Sequence, residues 1–330
     1  MAIGHDKGFV ALYVDGYEFI PDFVRFEHIE SIYDGSRWRL VLEHPDWNYY
    51  AGFADGRKEG YQEFDYRFGM LSASGGGAGD NENSVDWMPG VVLKTRQDYT
   101  IHGARTVILG GDRALNLKSR TRTQPWRGDV YSIAAKIASD HNLVLEMEPE
   151  KVPSGSPLYW QYGENDWAFL RRQAQWLVSR RTGRGDYEVW VNGDTLHVRP
   201  PGGSGVSVKK WSIAGMGSAL RSVRFIQRKK PLQMSGGLGV QIYGYDMEAK
   251  DILSATKNYG NFPEKTRLAP KITFPKNSDI PGITLSVPCK YEDDIDAAAT
   301  AFLGNRFRRM YILEAEIYPA FTGYNVGDVI

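Results

Sequence analysis

Apolar and polar residues alternate along the first third of the chain, and a period of two predicts strands. Residues 9–14 are a run of strand formers closed by the turn pair Asp15-Gly16. Over 23–32, Val24, Phe26 and Ile32 share one face, with Arg25, Glu27 and Ser31 on the other. After Asp34-Gly35, residues 37–43 put Trp38, Leu40 and Leu42 on a common face, so the two runs predict a hairpin with one buried and one wet side. The pattern dissolves between 45 and 90, where residues 72–83, SASGGGAGDNEN, read as a flexible loop. Strand character resumes at 91–95 and 106–109.

The middle of the chain changes period. Asp129 predicts the cap of a helix whose apolar stripe is Val130, Ile133, Ala134, Ile137 and Ala138, ending near Asn142 and followed by a strand over 143–147. A second helix starts near Asn165, with Trp167, Leu170, Ala174, Leu177 and Val178 on one side and Arg171, Arg172 and Arg180 on the other. Residues 187–191 and 195–198 predict a hairpin around Asn192-Gly193, and a Pro/Gly linker at 200–205 marks a boundary. Strands return at 220–227 and 238–244, with a proline-punctuated stretch over 266–288. A helix over 294–307 buries Ile295, Ala298, Ala299 and Phe302. A strand over 310–318 follows, with Leu313, Ala315 and Ile317 opposite Ile312, Glu314 and Glu316. The expected fold class is α+β, mostly β, with β-rich regions 1–115 and 206–330 flanking an α/β region 116–205.

A chain of 330 residues has room for two or three domains. Its 13% aromatic content favours strands and interfaces. Forty basic and forty acidic residues cancel, which argues against a dedicated nucleic-acid binder and suits a chain held in an assembly. The single cysteine, Cys289, excludes an internal disulfide and a cysteine-built zinc site. No stretch reaches the roughly 18 apolar residues of a membrane span. The first residues lack the order of a secretory signal, so synthesis in the cytoplasm is expected.

Reactive constellations are missing from the pattern. The six histidines are dispersed with no i, i+4 pair, and each reads as a surface or satisfied core residue. No serine sits in G-x-S-x-G. Gly215-Met216-Gly217 lacks the strand–turn–helix setting of a dinucleotide site. Asp293, Asp294 and Asp296 lack calcium-loop spacing and read as acids at a helix start. Alternating Glu146, Glu148 and Glu150, like Glu314 and Glu316, read as solvated strand faces rather than a glycosidase pair. The basic runs Arg228-Lys229-Lys230 and Arg306, Arg308 and Arg309 read as solvated edges. No catalytic, cofactor or metal site is expected.

Residues 159–201, YWQYGENDWAFLRRQAQWLVSRRTGRGDYEVWVNGDTLHVRPP, resemble a signature of the phage tail baseplate hub family. That family includes late-control tail proteins and the N-terminal half of type VI secretion spike proteins. The parts carrying the resemblance are Gln161-Tyr162, then Glu164, Asn165, Asp166 and Trp167, then Phe169, Leu170 and Arg171, and finally the strand with Leu196. Residues 238–249, with Gly244 and Asp246, and residues 297–330, with Gly327 and Asp328, are similar to further family segments. The resemblance covers roughly 128 to 330. It implies two barrel-like tube domains flanking a central α/β domain, in a homotrimer that forms a pseudo-sixfold ring.

The implied partners are the tail tube protein ring, the central spike protein, a tape-measure protein and DNA passing through the channel. The implied place is the virion tail baseplate, without enzyme activity or cofactor. The motif itself reads as packing: Asn165 and Asp166 are cap residues, while Trp167, Phe169 and Leu170 seat the helix on the sheet. Residues 23–32 and 310–318 are the expected assembly strands. Two other classes stay open: a tail-associated peptidoglycan hydrolase, which needs a carboxylate pair in a cleft, and a receptor- or carbohydrate-binding tail module, favoured by the Trp and Tyr content.

Overall fold

The computed structural model describes residues 7–14, 17–19, 23–29, 31, 34–44, 63–71, 88–101, 103–149, 158–180, 185, 187–200, 220–227, 239–246, 250–258, 281–286, 295–302 and 311–317. The chain is α+β and mostly β. Its first seven strands are β1 (Lys7–Val14), β2 (Tyr17–Phe19), β3 (Phe23–Ile29), β4 (Arg37–His44), β5 (Glu63–Leu71), β6 (Met88–Thr100) and β7 (Gly103–Gly111). They form one antiparallel sheet in the order β2-β1-β5-β6-β7-β4-β3. The β3–β4 hairpin is present as the alternation predicts, with Trp38, Leu40 and Leu42 buried beside Val10, Leu12, Tyr66 and Ile108.

Two expectations for this region need correction. The segment 45–90 contains β5, whose Phe64, Tyr66, Phe68 and Met70 alternate with Glu63, Asp65, Arg67 and Gly69. Nor is the second face of the hairpin wet throughout, because Val41 and its partner Val107 are also buried. Gly110 is required at its place: a Cβ there would sit 2.0 Å from Cζ2 of Trp38 and 2.6 Å from the Val91 carbonyl. The strand gives up a side chain so that the indole can lie across it.

A junction follows the sheet. Gly35, at φ 73°, turns β3 into β4, and Asp112 reaches back to that turn. Its carboxylate accepts from Ser36 N at 2.7 Å and Ala114 N at 2.9 Å. Burial pushes the Asp112 carboxyl above the usual carboxylate value despite those two bonds. Lys118 also donates to the Asp34 carbonyl.

The middle region contains α1 (Ala114–Ser119), β8 (Thr121–Arg127), α2 (Val130–Asp140), β9 (Val144–Met147), β10 (Leu158–Asn165), α3 (Asp166–Ala174), β11 (Glu188–Asn192) and β12 (Thr195–Arg199). Helix α2 follows its expected stripe, and Asp129 caps it by accepting from Ser132 N at 2.7 Å. Strands β8 and β10 pair antiparallel, while β11 pairs β12 and β12 pairs β9 in parallel. One core joins α1, α2 and α3 to both sheets, including Trp126, Ile137, Phe169, Leu170, Leu196 and Val198.

Helix α3 ends at Ala174, so Leu177 is buried from an irregular segment rather than from a helical stripe. The β11–β12 hairpin pairs Asn192 with Thr195, which makes Gly193-Asp194 the two-residue turn instead of Asn192-Gly193; Gly193 has φ 60°.

The last region comprises β13 (Leu220–Gln227) paired with β17 (Tyr311–Ile317), and a sheet of β14 (Gly239–Asp246), β15 (Asp251–Asn258) and β16 (Pro281–Ser286) in the order β15-β14-β16. Strand β15 had no counterpart in the sequence expectation. Gly244, Tyr245 and Asp246 close β14. A helix over 295–302, α4, buries Ile295, Ala298 and Ala299 as expected. It meets the middle region closely: Phe302 stacks on Trp176 at 6.2 Å, and a Cβ on Gly185 would lie 2.2 Å from Cα of Ala301. The loop 72–83, Gly215 to Gly217, both basic runs, and Gly327 with Asp328 lie outside the described residues.

Candidate functional site

Gln161 and Asp166 form the centre of the motif, and both side chains are fully buried. They are brought together because β10 runs directly into α3. Gly163, at φ 62°, allows a register shift between Tyr162 and Glu164, after which Asn165 caps the helix by accepting from Ala168 N at 2.8 Å. Asn165 is therefore the cap. Asp166, also expected to cap, points inward.

Gln161 is satisfied at both ends. Its Oε1 accepts from Trp126 Nε1 at 2.9 Å, and its Nε2 donates to the Glu164 carbonyl at 3.0 Å and to Asp166 Oδ1 at 2.8 Å. On the other carboxylate oxygen, Asp166 Oδ2 accepts from His141 Nε2 at 2.8 Å and lies 2.9 Å from Arg122 Nη2. Arg122 extends the network to Asp140 at 2.8 Å. Burial raises the Asp166 carboxyl, but the bonds from His141 and Gln161 and the Arg122 charge outweigh it and hold the group below the usual carboxylate value. Asp166 is thus an ion with all its partners in place. It ties β8, β10 and α3 to His141 at the end of α2.

The remaining motif residues pack around this centre. Phe169 stacks on Trp126 at 6.1 Å, and the Arg172 guanidinium lies 5.4 Å from its ring. Arg172 also pairs with Glu164 and donates to the Trp160 carbonyl at 2.6 Å. Trp167 is buried with Lys118 Nζ 4.9 Å above its ring, and Leu170 and Leu196 are core residues. Arg171 is half-buried. Tyr162 points out to solvent, 81% exposed, although it belongs to the same sequence signature. Gly244 and Asp246 lie on β14, away from this cluster in the chain.

One expectation, about the carboxylates, changes here, while His197 and His28 are partnered side chains. Glu148 is buried and accepts from the Ser179 hydroxyl, while the exposed Glu146 contacts His197 Nδ1 at 2.9 Å and Arg199 Nε at 3.1 Å, so the row is not solvated throughout. His197 stacks on Trp190 at 4.9 Å and is kept below its usual value by burial, against the pull of Glu146. His28 shares a 3.0 Å hydrogen bond with the Tyr66 hydroxyl, and burial lowers its pKa to about 4. Among the described residues, no group of three or more His, Cys, Asp or Glu could hold a metal ion. No helix there is long and apolar enough to cross a membrane.

The sequence motif located this cluster but missed Trp126, Arg122 and His141. Trp126 lies opposite Tyr159 in the β8–β10 register, whereas Arg122 and His141 reach Asp166 only through the folded arrangement of β8 and α2.

No family model and no curated protein matches the chain. Solved structures do. The tail protein from Neisseria meningitidis MC58 superposes with a TM-score of 0.61 at 15% identity, over 94% of this chain and 80% of that one. The 43 kDa tail protein of prophage MuSo2 from Shewanella oneidensis gives 0.60 at 11% identity, over 98% of this chain and 87% of the other. The chain has the fold of these tail proteins. At such identities the fold is held by the period of its strands and by core packing rather than by shared residues.

Proposed function

We propose that the chain is a structural baseplate-hub subunit of a phage or phage-like tail. Three copies form a ring in which regions 1–115 and 206–330 act as tube domains and region 116–205 braces them. The ring adapts the sixfold tail tube to the threefold central spike and lines the channel through which the genome passes. The subunit is assembled in the host cytoplasm and carried in the virion tail. The observation that carries this reading is the fold shared with two tail proteins over nearly the whole chain. The motif agrees with a structural role, because its buried Asp166 carboxylate is engaged by Gln161, His141 and Arg122.

The decisive experiment is the mass of the purified chain in solution, combined with electron micrographs of negatively stained particles. A mass three times that of the chain and rings with an axial hole are the expected result. A monomer at micromolar concentration, or release of fragments from purified cell walls, would overturn the reading.

A further inference from the structure

We propose that the outer face of the β8–β10 pair is where a second copy of this chain seats the end of its β14–β15 hairpin. The proposal rests on the homotrimer reading above and names a contact that would build it.

Strand β10 has two unlike faces. Tyr159 and Gln161 turn to the core, while Leu158, Trp160 and Tyr162 stand exposed in a row. The register sets Arg127, Pro125 and Thr123 of β8 opposite those three, and all of them are exposed too. Alternate residues on one strand lie about 7 Å apart, so the row is a continuous apolar strip along the sheet. Trp, Tyr and Arg are the residues that concentrate at the centres of protein interfaces. Arg127 at one end and Arg120 just before the other are exposed cations with no carboxylate partner among the described residues.

The end of the β14–β15 hairpin has the complementary composition. Tyr245 and Ile252 are paired directly across the strands, and both are exposed, Ile252 by 66%. The next pair outward is Asp246 with Asp251, and Asp251 is exposed. Lys250, next to Asp251 in the chain, is exposed as well. An apolar pair beside the exposed Asp251 fits an apolar strip bracketed by arginines. Both patches are open within one chain, so the hairpin does not lie on its own strip. A contact between two different patches is heterologous, and it closes only by running head to tail around a ring.

The test uses the full chain with Cys289→Ser, so that introduced cysteines are the only thiols. Trp160→Cys and Ile252→Cys chains are co-expressed and oxidised, with unchanged circular dichroism as the check on folding. Cross-linked pairs are expected from the mixture and not from either variant alone. In parallel, Arg120→Glu with Arg127→Glu should weaken association tenfold or more, and adding Asp251→Lys should recover part of that loss. A wild-type trimer with no cross-link between the two positions overturns this contact and leaves the hub reading standing. A monomeric wild-type chain overturns both.

Discussion

Asp166 in the middle region and His28 in the N-terminal sheet are both ionisable side chains placed among apolar neighbours, and they end in opposite states. Asp166 keeps its charge because Gln161, His141 and Arg122 converge on its two oxygens. His28 shares a hydrogen bond with Tyr66 and meets the rings of Phe26 at 6.3 Å and Tyr66 at 5.8 Å, and burial leaves it neutral. The difference shows what each region needs. Short elements packed on one core are also tied by a charged knot, whereas a broad sheet held by its ladders takes a neutral ring of the right shape.

Removing the charge from the knot should have the largest effect. Asp166→Ala leaves His141 without this partner and Arg122 with Asp140, and is expected to cost about 3 kcal/mol, read from the urea midpoint. The two groups should also separate by pH. The unfolded chain binds a proton at His28 near pH 6.5, which the native chain refuses until about 4. Stability should therefore fall as pH drops through that window, by up to about 3 kcal/mol. His28→Gln should flatten most of the slope, leaving a remainder from His197, whose pKa burial also lowers. Asp166 acts elsewhere: its contribution is complete above 3.8 and fades only as pH falls through its lower folded value.

Gln161→Leu keeps the shape but leaves Trp126 Nε1 and Asp166 Oδ1 each one partner short, and about 2 kcal/mol is expected. Asn165→Ala removes the helix cap and a long bond to the Lys118 carbonyl, and should cost about 1 kcal/mol by the same denaturation measurement. On the opposite face of β10, Tyr162→Ser should change the stability of the isolated chain by less than about 0.5 kcal/mol, since its ring touches mostly water.

Much of this arrangement was legible from residue spacing. The β3–β4 and β11–β12 hairpins, helix α2 with its Asp129 cap, and the start of α3 at Asn165 all follow from period and capping alone. Strand β5 was hidden because its alternating Phe64, Tyr66 and Phe68 lie between glycine-rich stretches that suggest a loop. Strand β15 was hidden because Ser254, Thr256 and Lys257 dilute the apolar pattern. Asp166 was misjudged for a physical reason. An acid in the first turn of a helix is ordinarily solvated, and nothing local announces that an arginine from β8 and a histidine after α2 will close over it. The burial of Glu148 was missed likewise, since Ser179 arrives from beyond α3.

The meeting of Gly185 with Ala301 also bears on how such a chain can change over generations. With 2.2 Å between a would-be Cβ and the helix backbone, the two positions share a single small volume. Enlarging either one spends space that belongs to the other, so neither can drift independently. Descendants that hold this joint should keep a glycine at the first position and a small residue at the second, even where the rest of the sequence has changed beyond recognition.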